Sequence, residues 1–327
     1  MDFATAESGG GTIEVPSVLV AGGAGFIGSH LCDRLVSDGW EVTCLDSMCT
    51  GSPVNVEHLS RHPRFILRRG DVRQPVDWAG ELIINLASPA SPQAYQRARM
   101  YTLTTNAEGT LSLLELARRT GARLVLASTS EVYGDPEEHP QRETYPGRVN
   151  PVGPRSCYDE GKRYAEALVT AAVAEWGVDG RIGRIFNTYG PRMNPGDGRV
   201  VVTFVQQLLA GRPLTVCGDG TQTRSLCFVD DMVEGLVRLA TYPNLTGEVI
   251  NLGNPDERSI FDVASIFQRV VGRSVGVEFL PLPPEDPRRR RPDITKARGM
   301  LGWTPRVPLE EGFLRMWDWY TERSLRP

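Results

Sequence analysis

Tyr158 and Lys162 stand four residues apart in a stretch with helical periodicity, so both side chains project from one face. An unperturbed phenol titrates near about 10, and a neighbouring ammonium stabilises the phenolate. Such a pair can take the proton of a hydroxyl while a hydride leaves the same carbon. A Tyr/Lys pair alone is commonplace on helix surfaces, but two other features accompany this one. The first is the hydroxyl-rich cluster Ser128-Thr129-Ser130-Glu131-Val132-Tyr133-Gly134 at the end of an apolar run. Thr129 and Ser130 can there hold the reacting hydroxyl beside Tyr158. Glu131 adds a carboxylate that simple dehydrogenation does not need. It is available for acid–base work at a second carbon, or is satisfied within its loop by an Arg or a helix terminus.

The second feature is Gly22-Gly23-Ala24-Gly25-Phe26-Ile27-Gly28, directly after the first apolar run and before a helical segment. Glycines there allow a tight turn and bring a pyrophosphate onto a helix amino end. The next apolar run ends at Asp46, about 20 residues on, where a carboxylate accepts bonds from ribose hydroxyls of a dinucleotide. That carboxylate repels a 2′-phosphate, and Ser47 and Met48 follow it rather than Arg, so NAD is expected and not NADP. Asp71 and Val72 are expected near the adenine, and Leu86, Ala87 and Ser88 along the middle of the cofactor. Ser47, Thr50, Gly51, Thr105, Ala127 and Thr188 complete the expected cofactor contacts.

Positioning these groups requires strands alternating with helices. Buried-strand runs fall at 17–21, 41–45, 64–68, 82–87, 123–128 and 181–187, and helical patterns at 26–38, 107–120 and 159–176. The alternation predicts an α/β fold, a Rossmann-type doubly wound parallel sheet. Residues 17–190 are expected to form the NAD-binding domain with the Tyr/Lys helix, and 191–327 mainly a smaller substrate-binding lobe. Residues 1–16 read as a frayed tail, and the basic run 288–291 as solvated surface. With 327 residues, 40% of them hydrophobic, a large core is possible, while a net charge of −4 with dispersed basic residues speaks against nucleic acid. No run is long and apolar enough to span a bilayer, and a cytoplasmic protein is expected. The six cysteines lack paired metal-ligand spacing, so neither zinc nor disulfides are expected, and Cys157 reads as packing rather than as a nucleophile.

From residue 17 to the end the chain resembles the extended short-chain dehydrogenases, most closely the UDP-glucuronate decarboxylases, also called UDP-xylose synthases. The resemblance rests on Asn85-Leu86-Ala87-Ser88-Pro89-Ala90-Ser91-Pro92, residues 127–136, the stretch 150–162 with Tyr158-Asp159-Glu160-Gly161-Lys162, residues 185–193 and 197–201, and Gln222-Thr223-Arg224-Ser225. It implies oxidation of the sugar at C4, loss of carbon dioxide from the resulting β-keto acid, and return of the hydride to give UDP-xylose. Tyr158 would be the base, Lys162 its support, Thr129 and Ser130 the positioners, Glu131 the acidic residue of decarboxylation and Arg290 the active-site arginine. Tyr95, Asn187, Val202, Thr203, Arg224 and Arg290 would meet the UDP-glucuronate, and the helices of residues 107–120 and 159–176 would pair in a homodimer.

Related hexose 4,6-dehydratases carry an Asp where this chain has Ser130, and 4-epimerases have a small or hydroxyl residue at Glu131. Departures from the decarboxylase pattern cluster around the substrate: Thr104 for a Lys, Arg99 for a Pro, Val202-Thr203 for Ser-Asn, and Cys217 for an aromatic. They leave open a decarboxylase that releases the 4-keto pentose with NADH; a UDP-glucuronate 4-epimerase is a third alternative, against which Glu131 argues. A non-catalytic NAD sensor would be expected to lack Tyr158 or Lys162.

Overall fold

A computed structural model describes residues 15–282 and 289–324. Most of the expected tail, 1–16, and part of the proline-rich segment after Leu280 lie outside the described residues. The first part of the chain supplies β1 (Ser17–Ala21), α1 (Phe26–Ser37), β2 (Glu41–Asp46), β3 (Phe65–Arg69), β4 (Leu82–Asn85), α2 (Pro92–Arg97), α3 (Arg99–Thr120), β5 (Arg123–Thr129), α4 (Ser156–Trp176) and β6 (Gly180–Ile185). There follow β7 (Thr188–Tyr189), α5 (Val200–Leu209), β8 (Leu214–Cys217), β9 (Thr223–Ser225), β10 (Cys227–Phe228), α6 (Val229–Thr241), β11 (Val249–Leu252), β12 (Glu257–Ser259), α7 (Ile260–Val271), β13 (Val277–Leu280), α8 (Thr295–Leu301) and α9 (Leu309–Ser324).

The main sheet reads β3-β2-β1-β4-β5-β6-β11 in space, with every neighbouring pair parallel. It is the doubly wound sheet that the alternation predicts. Period two along β1 divides the core. Val18 and Val20 pack with α1 and the α5 to α9 region, whereas Leu19 and Ala21 pack with Leu113 and Leu114 of α3 and Ala165 and Val169 of α4. Both faces of β1 are therefore dry, and each large side chain so buried contributes about 2 kcal/mol. Chain order reverses between β1 and β4, which opens a crevice at the carboxyl ends of those strands.

Several boundaries differ from the sequence reading. The strand expected at 82–87 stops at Asn85, whose Oδ1 accepts from Ala87 N at 3.1 Å and turns the chain. The one expected at 181–187 breaks after Ile185 and resumes as β7, paired with β10. The helix expected from 107 begins at Arg99, because Thr102, Thr105 and Asn106, weak helix formers, are buried on its inner side. Among the elements not anticipated are α2 and β11. In α2, Ser91 caps Ala94 N and Pro92 opens the first turn; β11 extends the main sheet beside β6. No helix among the described residues is long and apolar enough to cross a membrane.

Candidate active site

The turn after β1 places backbone where a side chain would not fit. Gly22 has φ +79°, and a Cβ on it would stand 2.8 Å from the Leu86 carbonyl and Ala87 N. A Cβ on Gly28 would stand 2.2 Å from Gly22 O. With glycine at both positions α1 packs directly on the loop, carrying Phe26 and Ile27 in its first turn. That turn has neither a side-chain cap nor an acidic residue, so its amides suit an anion. Asp46 is held by two amides, Ala24 N at 3.0 Å on Oδ2 and Met48 N at 2.8 Å on Oδ1. It borders a cleft that is also lined by Gly22, Gly25, Ser47, Thr50 and Gly51. Asp71, Val72, Leu86, Ala87, Ser88 and Thr105 line the rest of the same cleft. Thr105 Oγ1 is buried there without a partner, which costs about 1–3 kcal/mol unless a ligand supplies one. Side-chain-free backbone, an uncapped helix end, a fixed carboxylate and an orphaned hydroxyl together fit a dinucleotide.

The catalytic groups sit at the carboxyl end of β5 and the amino end of α4. Tyr158 is 6% exposed, and the Thr129 hydroxyl is the hydrogen-bonding neighbour that acts on its phenol. Burial pushes the phenol up to about 12, against the opposing effect of that bond. Lys162 is 3% exposed and donates to Ala127 O at 2.7 Å. Burial lowers its ammonium to about 8, opposed by the charge of Glu166. Thr129 Oγ1 also accepts from Glu131 N at 3.2 Å, which ties the short helical turn carrying Ser130 and Glu131 to the Tyr158 site.

Glu131 is the centre of a charged cluster. Its Oε2 accepts from Arg155 Nη2 and lies 3.4 Å from Arg290 Nη2. Burial alone would raise this carboxyl; the charges of Arg290, Arg155 and Arg224 prevail and hold it down at about 2. Arg290 is 1% exposed, with Nη1 donating to Ser130 O and Nη2 to Gly134 O at 3.0 Å. Gln141 positions it: Arg291 N donates to Gln141 Oε1, and Gln141 N donates to Arg291 O, both at 2.9 Å. The reading of the basic run as solvated surface is thus corrected. Arg289 is exposed and Arg291 half-buried, but Arg290 is drawn inside by Glu131 and backbone carbonyls. Arg288 lies outside the described residues.

Tyr95 lies with its ring 5.2 Å from that of Tyr158 at an interplanar angle of 5°, and its hydroxyl is buried without a partner. Arg224, on β9, contributes charge to Glu131. Asn187 is half-buried between β6 and β7, where its carbonyl accepts from Cys227 N, and Thr188 returns its hydroxyl to Phe186 O at 2.9 Å. Thr203 likewise donates to Arg199 O at 3.0 Å. Val202 is fully buried in the core face of α5, so its side chain is not presented to the site. Thr104 accepts from Arg73 at 3.2 Å, and Cys217 O accepts from Gln222 Nε2 at 2.6 Å. Cys157 is buried and donates to Tyr95 O at 3.6 Å.

Sequence reasoning missed four residues. Arg155 and Asp159 precede Tyr158 and Lys162 by three residues each, so all four share a face of α4; the i,i+4 Arg/Asp spacing was the available signal. Tyr101 donates to Ser47 Oγ at 2.9 Å between two walls of the cofactor cleft. Arg73 lies 4.4 Å over the Tyr101 ring and bonds Asp71 at 2.7 Å.

Comparison with known proteins places these features among relatives. Residues 18–253 match the profile of the NAD dependent epimerase/dehydratase family. The chain is 53% identical over 295 residues to UDP-glucuronic acid decarboxylase 1 of Danio rerio, covering 90% of this chain and 70% of the relative. It is 48% identical over 331 residues to UDP-glucuronic acid decarboxylase 1 of Arabidopsis thaliana, covering 99% and 76%. Among solved structures, the UDP-glucuronic acid 4-epimerase of Bacillus cereus, in complex with UDP-glucuronic acid and NAD, superposes with a TM-score of 0.84 at 30% identity, covering 94% of this chain and 99% of that one.

Proposed function

The chain belongs to the NAD-dependent epimerase/dehydratase family, and from that membership and the site geometry we propose that it decarboxylates UDP-glucuronate. The observation that carries this reading is Glu131, an ionised carboxylate gripped by Arg155 and Arg290 on the turn that also supplies Thr129 to Tyr158. Relatives named as UDP-glucuronic acid decarboxylases share about half of their aligned residues with the chain, against 30% for the epimerase structure. When bound, NAD supplies the two-electron acceptor for C4 and the donor that restores C4 at the end.

In this reading Tyr158 removes the C4 hydroxyl proton, with Thr129 aligning that hydroxyl and Lys162 stabilising the phenolate. The resulting ketone is β to the C6 carboxylate. The C5–C6 bond breaks, its electron pair passes into the C4 enolate, and carbon dioxide leaves; C5 then takes a proton. Arg290 already shares its donors among Ser130 O, Gly134 O and Glu131. A fresh bidentate grip on the substrate carboxylate would require giving these up, so the ground state is not over-stabilised. Residues 17–190 hold the cofactor and the Tyr/Lys pair, and 191–327 mainly the UDP-sugar. The reading includes a homodimer and a cytoplasmic location, the latter checked by fractionating cells for the activity.

Incubation with UDP-glucuronate, followed by mass and NMR identification of the sugar, tests the proposal. Carbon dioxide and UDP-xylose without net NADH are expected. A 4-keto pentose with stoichiometric NADH would instead make it a decarboxylase that releases the intermediate, and UDP-galacturonate with the carbon count unchanged would make it an epimerase.

A further inference from the structure

Arg155 stands at the amino cap of α4 and reaches two carboxylates. Its Nη2 donates to Glu131 Oε2, and its Nε lies 3.8 Å from Asp159 Oδ2. Arg290 approaches the same Glu131 oxygen, and no hydrogen bond reaches Oε1 among the described residues. Asp159 is 6% exposed, and its Oδ1 is buried without a hydrogen bond. The loose contact and the buried oxygen show which carboxylate is the weaker claimant on Arg155.

We propose that Arg155 is a positioning residue for carbon dioxide loss, which holds Glu131 as a fixed carboxylate by Oε2 and leaves Oε1 to face the substrate, with Asp159 as its second partner. The proposal rests on the decarboxylase reading above. A fixed negative charge beside a departing carboxylate repels it in the ground state, and the repulsion lapses as neutral carbon dioxide forms. The effect requires Glu131 to stay ionised. Without Arg155, the main charges left to oppose burial among the described residues are Arg290 and Arg224. Among the described residues, the groups facing Glu131 and Asp159 include Arg155, Arg290, Arg224, Tyr95, Cys157, Tyr158 and Glu160. Burial and the Glu131 charge raise Asp159 to about 7, consistent with Glu131 being the carboxylate that Arg155 keeps charged.

The test compares wild type, Arg155→Gln, Arg155→Lys, Glu131→Gln and the Arg155→Gln/Glu131→Gln double variant, measuring carbon dioxide release against pH. Glu131 acts ionised, so activity is lost as pH falls through its pKa, and a raised pKa moves that loss to higher pH. Arg155→Gln is expected to lower kcat about tenfold with KM little changed and to raise the acid limb by about one unit. Arg155→Lys should recover most of the kcat, and the double variant should be no worse than Glu131→Gln. An unmoved acid limb, or additive losses in the double variant, would overturn the proposal. Should Arg155→Gln not fold, Asp159→Asn carries the test: freed of its competitor, Arg155 should leave the acid limb at or below the wild-type position, and an upward shift overturns it. If wild type releases no carbon dioxide, the decarboxylase reading fails separately. Infrared titration of the Glu131 carboxylate, assigned by its loss in Glu131→Gln, then decides: protonation at higher pH in Arg155→Gln supports the positioning role, and identical midpoints refute it.

Discussion

Tyr158 and Lys162 each resist their charged form when considered singly, since burial pushes the phenol up to about 12 and the ammonium down to about 8. A phenolate and an ammonium on one helix face relieve each other, so the proton removed from the sugar is best accepted while Lys162 is charged. Tyr158→Phe is accordingly expected to cut turnover by at least about a hundredfold while leaving NAD affinity nearly intact, as measured by calorimetry; near-normal turnover would remove Tyr158 as the base. Lys162→Met has a different signature. The base works deprotonated, so the rate rises as pH passes upward through its pKa, and loss of the ammonium moves that rise to higher pH. A kcat/KM profile whose rise stays in place would show that Lys162 does not act on Tyr158. The Tyr/Lys spacing, the glycine turn and Asp46 were legible because each is a local pattern with its own chemistry. Arg290 was legible only through family resemblance, since nothing local distinguishes it from Arg289 and Arg291. Its burial depends on Gln141 and Glu131, both far away in the chain.

At the scale of elements, the strands that are dry on both faces were readable as apolar runs, whereas β11 was not. Val249–Leu252 is four residues long, and its place beside β6 is set by long-range packing. The start of α3 was hidden for the opposite reason: its Thr and Asn residues are buried polar groups, and contact with α4 overrides their weak helix propensity. Asp179, just before β6, shows how such edges are tied. It accepts from Arg123 at the start of β5 at 2.6 Å, from Arg181 of β6 at 2.9 Å and from Thr246 before β11 at 2.8 Å. Burial would raise this carboxyl, but the bonds from Arg181, Arg123 and Thr246 hold it at about 2. Asp179→Ala should cost about 2 kcal/mol in denaturant titration, below the range for a fully buried pair because Asp179 keeps some contact with water. The folded pKa lies below the unfolded value near 3.8. The difference between wild type and variant should therefore be full above that value and vanish as pH falls through about 2. A pH-independent difference would assign the cost to packing instead.

For the molecule as a whole, the outer faces of α3 and α4 carry an apolar stripe beside the site. Met100 is 71% exposed, Leu111 36% and Tyr164 53%, with Leu103 and Leu168 half-buried along the same two helices. α3 and α4 pack side by side, so a second copy related by a two-fold axis would complete a four-helix contact and cover the stripe. A stable contact of this kind buries about 800 Å² on each partner, within reach of two helices of 22 and 21 residues. α4 also carries Tyr158, Asp159 and Lys162, with Arg155 at its amino cap, so a partner on its outer face would restrain the helix that aligns the base. The expectation is a native mass twice that of the chain by light scattering. The Leu111→Glu/Tyr164→Asp double variant should shift this to the monomer mass, because four like charges would meet across the axis. Carbon dioxide release by the variant should fall with dilution more steeply than that of wild type. A monomeric wild type, or a variant that stays dimeric, would place the subunit contact elsewhere or nowhere and leave α4 to be held by the core alone.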